Sequence, residues 1–481
     1  MAVAITNQRQ DVVRKALKNS LLDGASHSAM LGLTQSYIIP FALALKATTA
    51  QIGLLSSIPS LTMALSQLAA PRLAQRAGSR KRFILPVVLV HALLWMPILL
   101  VPYVFPGDKV LWLIAFATLS TVFGALGNPA WGSMMADLVP GNKRGRYFGL
   151  RGRICDIVML VVSFAAGGIL QWTTGNPFLG FSVIFGGAAF CRLFSWYFLS
   201  RMYEPPLNKT QNTSPSLLIT MRKMRSSNLG RFIAFVSLVN FATLLAGPFF
   251  AVYMLRDLGF DYLTYVAINA TSTITTIIFL TIWGRRADRA GNIKVIKITS
   301  FLIPLCPLLW LVSREVYYLM PIQVVAGFAW SGFNLASVNF LYDASPQESR
   351  TQSIAIFNAA NGAAMCLGAL IGGYLAPRLP YFNGSNLLTL FLISGLLRGL
   401  IVISPLRRIS EVRRVQKVGT LELLLGKPAF TWAAMRNKLE PVMPVVQWHK
   451  TIRIPSITTP ALPWAFQLIE ASRSPPFFDD S

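Results

Sequence analysis

Apolar runs long enough to cross a bilayer recur through the first 405 residues, at about 21–44, 50–70, 83–105, 110–136, 154–172 and 177–200. A second set follows at about 231–255, 262–283, 295–313, 316–342, 352–376 and 385–404. Each is near the roughly 20 residues that a helix needs to span the hydrocarbon core. Charged clusters or Pro/Gly breaks close each run. The pattern predicts an all-α membrane protein of about 12 transmembrane helices. Between the two sets, residues 201–230 turn polar, with Pro205, Pro206 and an Asn/Thr/Ser-rich run that marks a linker. The expected organisation is an N-terminus at 1–20, a six-helix bundle at 21–200, a linker at 201–230, a second six-helix bundle at 231–404 and a basic, partly disordered tail at 405–481.

Composition agrees with this class, since 54% of residues are hydrophobic and only 13% charged, too little charge to cover a soluble surface. The net charge of +26 raises the question of nucleic acid, and its distribution answers it. With the N-terminus assigned to the cytoplasm, the outer loops hold only Lys46, Lys109, Arg256, Arg314 and Arg378 of the 44 Lys and Arg residues. Arg192 and Arg398 lie within spans, and all the others fall in cytoplasmic loops and tails. The positive-inside rule then puts both termini in the cytoplasm, and the basic charge needs no nucleic-acid partner. The start of the chain carries Arg9, Arg14, Lys15 and Lys18 without a cleavage pattern, so the first span is expected to direct insertion itself. Cys155, Cys191, Cys306 and Cys366 sit in apolar segments without ligand spacing, and the histidines make no metal pattern. No metal, cofactor or enzymatic nucleophile–base set is expected.

The two halves repeat each other. Asn128, Asp137, Pro140 and Arg144 match Asn334, Asp343, Pro346 and Arg350 at an offset of 206, and Arg192 matches Arg398 at the same offset. Pro40 and Pro248 match at 208. A parallel repeat of two bundles can rock about a central site and expose it to each side in turn.

Two loops then carry a resemblance. After the second span the chain reads PRLAQRAGSRK at 71–81, and after the eighth it reads GRRADRAGNIK at 284–294. They resemble the signature loop of the Major Facilitator Superfamily, over a likeness that covers roughly residues 15–405. The resemblance implies a two-bundle transporter fold with gating at these loops, through Arg76, Gly78 and Arg80 in the first and Gly284, Asp288, Arg289 and Gly291 in the second. Glycine permits a tight turn at the surface. By the resemblance, Asp288 and Arg289 close the inner gate, because Pro71 and Gln75 replace the Gly and Asp of the pattern in the first half. Asp137 with Arg144, and Asp343 with Arg350, each place an acid at a helix end and a base seven residues on. That spacing is open to salt bridges that break as bundles rock, and equally to solvated helix ends.

Ionisable groups inside the membrane are the default functional candidates. Asp23 and His27 share a face of the first span, four residues apart, as a proton-coupling pair or as polar residues of a wetted vestibule. Arg192 and Arg398 either face the centre and bind an anion or reach the rim and the headgroups, the latter being usual for their spans in the superfamily. His91 stands alone in its span, as a proton carrier or a packing residue. Gln35, Tyr37, Asn128, Trp131, Asn240, Asn269, Trp330, Asn334, Asn358 and Asn361 are candidates to line a cavity or to join helices by hydrogen bonds. The small residues at 165–168 and 372–373 permit close helix contact. The expected function is secondary transport of a small-molecule solute by a monomer in the plasma or inner membrane, in contact with the lipid bilayer. A non-transporting receptor or assembly factor of the same fold is the alternative.

Overall fold

Twelve helical passes account for nearly all of the described residues in this computed structural model, without a β-strand among them. Described are 2–139, 144–205, 221–222, 227–346, 350–403, 409–413, 415 and 419, with side chains excepted at 2–11, 71, 72, 75, 144–146 and 351. Most of the expected linker, the side chain of Arg144, and the tail other than 409–413, 415 and 419 therefore lie outside them. The first six passes are α1 (Ala2–Thr34, extended by Ile38–Ala44), α2 (Thr49–Arg76), α3 (Arg80–Val104), α4 (Lys109–Leu138), α5 (Arg144–Trp172) and α6 (Pro177–Ser200). The second six are α7 (Asn228–Asp257), α8 (Tyr262–Ala290), α9 (Asn292–Leu309), α10 (Val316–Ala344), α11 (Arg350–Leu375) and α12 (Asn386–Ile403). Among the described residues, eleven of these are long and apolar enough to cross a membrane. The exception is α1, whose polar residues include Asn19, Ser20, Asp23, Ser26, His27 and Ser28.

The helices outrun the apolar runs. The second ends at Arg76, the eighth at Ala290, and the fifth starts at Arg144. Alanine, arginine and glutamine favour helix after the hydrocarbon ends, so charge marks the membrane boundary and not the helix end. Gly284 consequently lies inside α8 and makes no turn, contrary to the expectation for the signature loop. The turns fall at Gly78 (φ 68°) and Gly291 (φ 91°), where a side chain would be strained.

Local chemistry explains the remaining ends. Thr48 and Gln51 cap α2 reciprocally, Thr48 N–H donating to Gln51 Oε1 (2.9 Å) and Gln51 N–H to Thr48 Oγ1 (3.3 Å). Asp108, Asn176, Ser227 and Asp261 cap α4, α6, α7 and α8. Proline interrupts α1 and α7 at the matched Pro40 and Pro248, because it lacks an N–H and crowds the carbonyl four residues back.

On the face that carries the N-terminus, each half is closed by a short strap after its last helix. Asn19 Nδ2 donates to Arg201 O (3.2 Å), and Asn228 Nδ2 donates to Ser410 O (2.7 Å). Glu204 accepts from Arg80 N–H (2.7 Å) and Ser79 Oγ (2.6 Å), and Glu411 accepts from Ile293 N–H (2.9 Å). A carboxylate thus sits on the N-terminal dipole of α3 and of α9, at equivalent places in the repeat. Replacing Glu204 by alanine is expected to lower stability by about 2 kcal/mol, the scale of charge-assisted hydrogen bonds. Thermal unfolding of the purified protein measures it, and a change within ~0.5 kcal/mol, the scale of an ordinary surface substitution, would mean the strap holds nothing.

Toward the opposite face the halves share one apolar core, in which Tyr37, Phe41, Phe181 and Phe185 join Phe249, Tyr253, Tyr265 and Phe391. A second core, including Phe232, Trp283, Phe333 and Phe340, belongs to α7–α12 and the following strap. Between the halves α2 lies against α11. A Cβ on Gly53 would be 2.8 Å from Ala369 O, and one on Gly362 would be 2.3 Å from the Ala64 Cβ. The matched approach inside the second half is Gly372 of α11 against α7, where a Cβ would collide with Leu245 O.

Candidate functional site

The signature loops hold their own halves together. Arg80 is 3% exposed, and its Nη1 lies 2.5 Å from Asp137 Oδ2 and 3.1 Å from Ser133 Oγ, while Nη2 donates to Pro205 O (2.7 Å). In the second half the apolar Ile293 stands where Arg80 stands in the first, and its neighbour Asn292 donates to Asp343 Oδ2 (2.8 Å). The missing cation arrives from the strap, since Arg413 Nη2 lies 2.7 Å from Asp343 Oδ1. This carboxylate, the hydrogen bond first and charge second, holds the Arg413 guanidinium above its ordinary range. The acids at the ends of α4 and α10 are thus met by Arg80 and Arg413; no bond of Asp343 to Arg350 is found among the described residues, and the side chain of Arg144 lies outside them. Asp288 is 76% exposed with Arg413 Nη1 at 3.8 Å, a solvent-screened pair worth little.

Deep within the first half, four helices bring together groups that the sequence left apart. Asp23 and His27 come from α1, His91 from α3, Arg151 from α5, and Arg192 and Ser195 from α6. Arg192 is 7% exposed, so it faces neither headgroups nor open cavity. Its Nη1 lies 2.7 Å from His27 Nδ1 and 2.9 Å from Ser195 Oγ, and its Nε donates to His91 Nδ1 (3.2 Å). Arginine has only donors, so both Nδ1 atoms accept and each imidazole is neutral with its proton on Nε2. Ser195 Oγ donates to Asp23 Oδ1 (2.6 Å), which relays the guanidinium to the carboxylate. Arg151 Nη2 reaches Asp23 Oδ2 at 3.7 Å, its Nε donates to Ser20 O (3.2 Å), and its guanidinium lies 4.4 Å over the Trp131 ring. Gly24 leaves the room, because a Cβ there would meet that guanidinium at 2.7 Å. His91 is therefore not alone, and Arg151, which the charge count places in a loop, stands inside the span.

Arg398, the repeat partner of Arg192, is also buried and meets no acid among the described residues. It donates to Ile303 O (3.4 Å) and Thr243 O (3.3 Å). The first of these carbonyls is available because Pro307, four residues on, has no N–H to bond it.

A cavity of about 270 Å³ lies between the halves, walled by α1, α5, α8 and α10. Its polar lining includes Gln35, Ser163, Asn269, Ser272, Thr273 and Gln323. Toward the face opposite the N-terminus it is roofed by two tyrosines. Tyr37 donates to Ser163 O, and Tyr265 of the second half donates to Ser36 O (2.9 Å). Pro40 frees the Ser36 carbonyl for this bond between halves. Four residues of α1 separate His27 from Leu31, and eight of α5 separate Arg151 from Met159, so the buried network lies roughly 6 Å along α1 and roughly 12 Å along α5 from the cavity wall.

Of the cavity candidates named from sequence, Gln35 and Asn269 line this space. Asn240 Nδ2 instead bonds Asn361 Oδ1 (2.9 Å) within the second half, and Asn358 Nδ2 bonds Gln67 Oε1 (3.0 Å) across the halves. Asn128 and Asn334 are exposed, and Trp330 packs edge-on to Phe333. Gln323 and Ser163 were not singled out, although Gln323 is a lone amide in an otherwise apolar stretch. Among the described residues no cluster of His, Cys, Asp or Glu could hold a metal.

The family model of the Major Facilitator Superfamily matches residues 25–268 and 232–466, once for each half. Solved structures share the fold. The nucleoside transporter NupG has a TM-score of 0.62 at 16% identity, covering 82% of this chain and 98% of that one. A D-xylose–proton symporter has a TM-score of 0.62 at 13% identity, covering 84% and 99%. A bacterial homolog of the human lysosomal transporter Spinster, in an inward-facing and occupied conformation, has 0.61 at 13%, covering 84% and 97%. No curated protein matches the chain by sequence. With twelve passes, matched halves and both halves matching the family model, the chain is an integral, multi-pass membrane protein that belongs to the Major Facilitator Superfamily.

Proposed function

We propose that this protein carries a small solute across its membrane by alternating access, with the cavity between the halves as the solute compartment. The observation that carries the reading is the cavity itself, polar on four helices from both halves and roofed by the Tyr265–Ser36 bond between them. A compartment shared by two bundles changes its opening when they rock. The distribution of lysine and arginine supports a cytoplasmic N-terminal face, so the roofed side is the outer one and this is an inward-facing arrangement. That a nucleoside transporter and a D-xylose–proton symporter share the fold supports the same reading.

Proton coupling is the second part of the proposal, centred on Asp23, His27, His91 and Arg192. Both imidazoles accept from Arg192, and a proton on either Nδ1 would break that bond and set two cations side by side. The same two helices, α1 and α5, carry the network and the cavity wall. The test is uptake by reconstituted proteoliposomes with and without an imposed pH gradient. Accumulation driven by the gradient, reduced at least about 10-fold in His27→Asn/His91→Asn, the scale of a lost catalytic or coupling proton step, is the expected result. Gradient-independent equilibration by the native protein would remove the coupling part, and a folded protein that binds solute without moving it would remove transport.

A further inference from the structure

We infer that the solute is uncharged, non-aromatic and rich in hydroxyl or amide groups, of about the size of a monosaccharide or its alditol, an inference that rests on the cavity being the solute compartment. Charge is the first argument. Among the described residues, none lining the cavity is ionisable. An ion entering it would lose hydration without meeting a counter-charge in the wall, at several kcal/mol. The nearest acid along α5 is the half-buried Asp156, three residues or roughly 5 Å before Met159 and outside the lining, while Asp23 with Arg151 and Arg192 is engaged within itself and roughly 12 Å from Leu31 along α1.

Hydrogen bonding is the second argument. Gln35, Gln323 and Ser272 make no side-chain hydrogen bond among the described residues, although they stand at membrane depth. Asn269 spends only its Nδ2 on Tyr265 O (2.9 Å), which leaves Oδ1 as an acceptor. Amides and hydroxyls offer donors and acceptors together, the match for a solute that does the same. An apolar solute would strand these groups.

Ring chemistry and size are the third. Among the described residues no aromatic side chain lines the cavity, so a flat base or drug ring finds no stacking surface there. Tyr37 and Tyr265, in the roof, spend their hydroxyls on backbone carbonyls. The volume of about 270 Å³ falls below the ~300–1,000 Å³ of sites for drug-sized ligands.

The experiment is binding to the full chain in nanodiscs, by calorimetry, with solutes of one size that differ in charge and ring type. The set is a neutral hexose and its alditol, the corresponding aldonate anion, the 2-amino hexose cation, and a purine nucleoside. Hexose or alditol is expected to bind at least about 100-fold more tightly than either charged congener, and Gln35→Leu or Gln323→Leu is expected to weaken it about 10- to 100-fold, the range of one unmet buried polar group. Thermal melting of both variants checks that they fold. A charged congener or the nucleoside binding as tightly as the neutral solutes overturns the inference, as does the absence of binding by both neutral solutes. Flux of the same set into proteoliposomes separates the two claims. Neutral binding without flux leaves the solute class standing and removes transport, whereas flux of a charged solute leaves transport and removes the class.

Discussion

Arg192→Met is expected to cost about 2–5 kcal/mol of stability, far more than an arginine at the bilayer rim would. Two estimates bracket the number. Hydrogen bonds between transmembrane helices average about 0.6 kcal/mol each, so loss of the three to His27, His91 and Ser195 removes about 2 kcal/mol. Breaking a buried charge pair leaves Asp23 desolvated with only Arg151 at 3.7 Å, which raises the cost toward 3–5 kcal/mol. Arg192→Lys is expected to recover little, because one ammonium cannot reproduce a fork aimed at two imidazoles from two helices. Adding Asp23→Asn to Arg192→Met removes the stranded charge and is expected to return part of the loss. Thermal unfolding in detergent or nanodiscs reads all of these. A loss within ~0.5 kcal/mol for Arg192→Met, typical of surface substitutions, would return the residue to a headgroup role.

The second large effect concerns the seam between α2 and α11. A Cβ on Gly373 would be 2.9 Å from the Gly53 Cα and 3.2 Å from Thr49 O, contacts with backbone that no rotamer relieves. Gly373→Leu is therefore expected to wedge the halves apart near the roof while leaving the core of each half intact. Solute flux is expected to fall at least about 10-fold, a bias of ~1.4 kcal/mol between states. A cysteine at Gln35, in a background without Cys155, Cys191, Cys306 and Cys366, reports the cause. Its reaction with an impermeant thiol reagent from the roofed side should accelerate in the wedge variant. Unchanged flux and unchanged labelling would mean the seam does not close the cavity.

The number of passes and the paired halves are legible in the chain because both rest on long periodic signals: apolar length, loop charge, and matches such as Asp137 with Asp343. The buried network is only half legible. An i, i+4 pair such as Asp23 and His27 reports on one helix face. His91, Arg151 and Arg192 join it from three other helices, and no local spacing encodes which faces meet. The polarity of α1 is nevertheless a signal, since the pass least suited to lipid is the one whose polar side chains find partners inside the bundle. The acids at the ends of α4 and α10 illustrate the opposite failure. Proximity in sequence pairs Asp343 with Arg350, yet the cation comes from Arg413, brought back by a strap beyond the last helix.

Arg398 gives the second half an electrical property. Carbonyl oxygens solvate it, and no carboxylate among the described residues neutralises it. Under the proposed alternating access, a fixed positive charge inside a rocking bundle is a charge that moves through the membrane field. Each tenth of the membrane thickness it travels against 100 mV changes the balance of states by roughly 0.2 kcal/mol. The resting potential then becomes a ligand of this half, favouring whichever arrangement carries Arg398 toward the negative side, even for a solute that bears no charge.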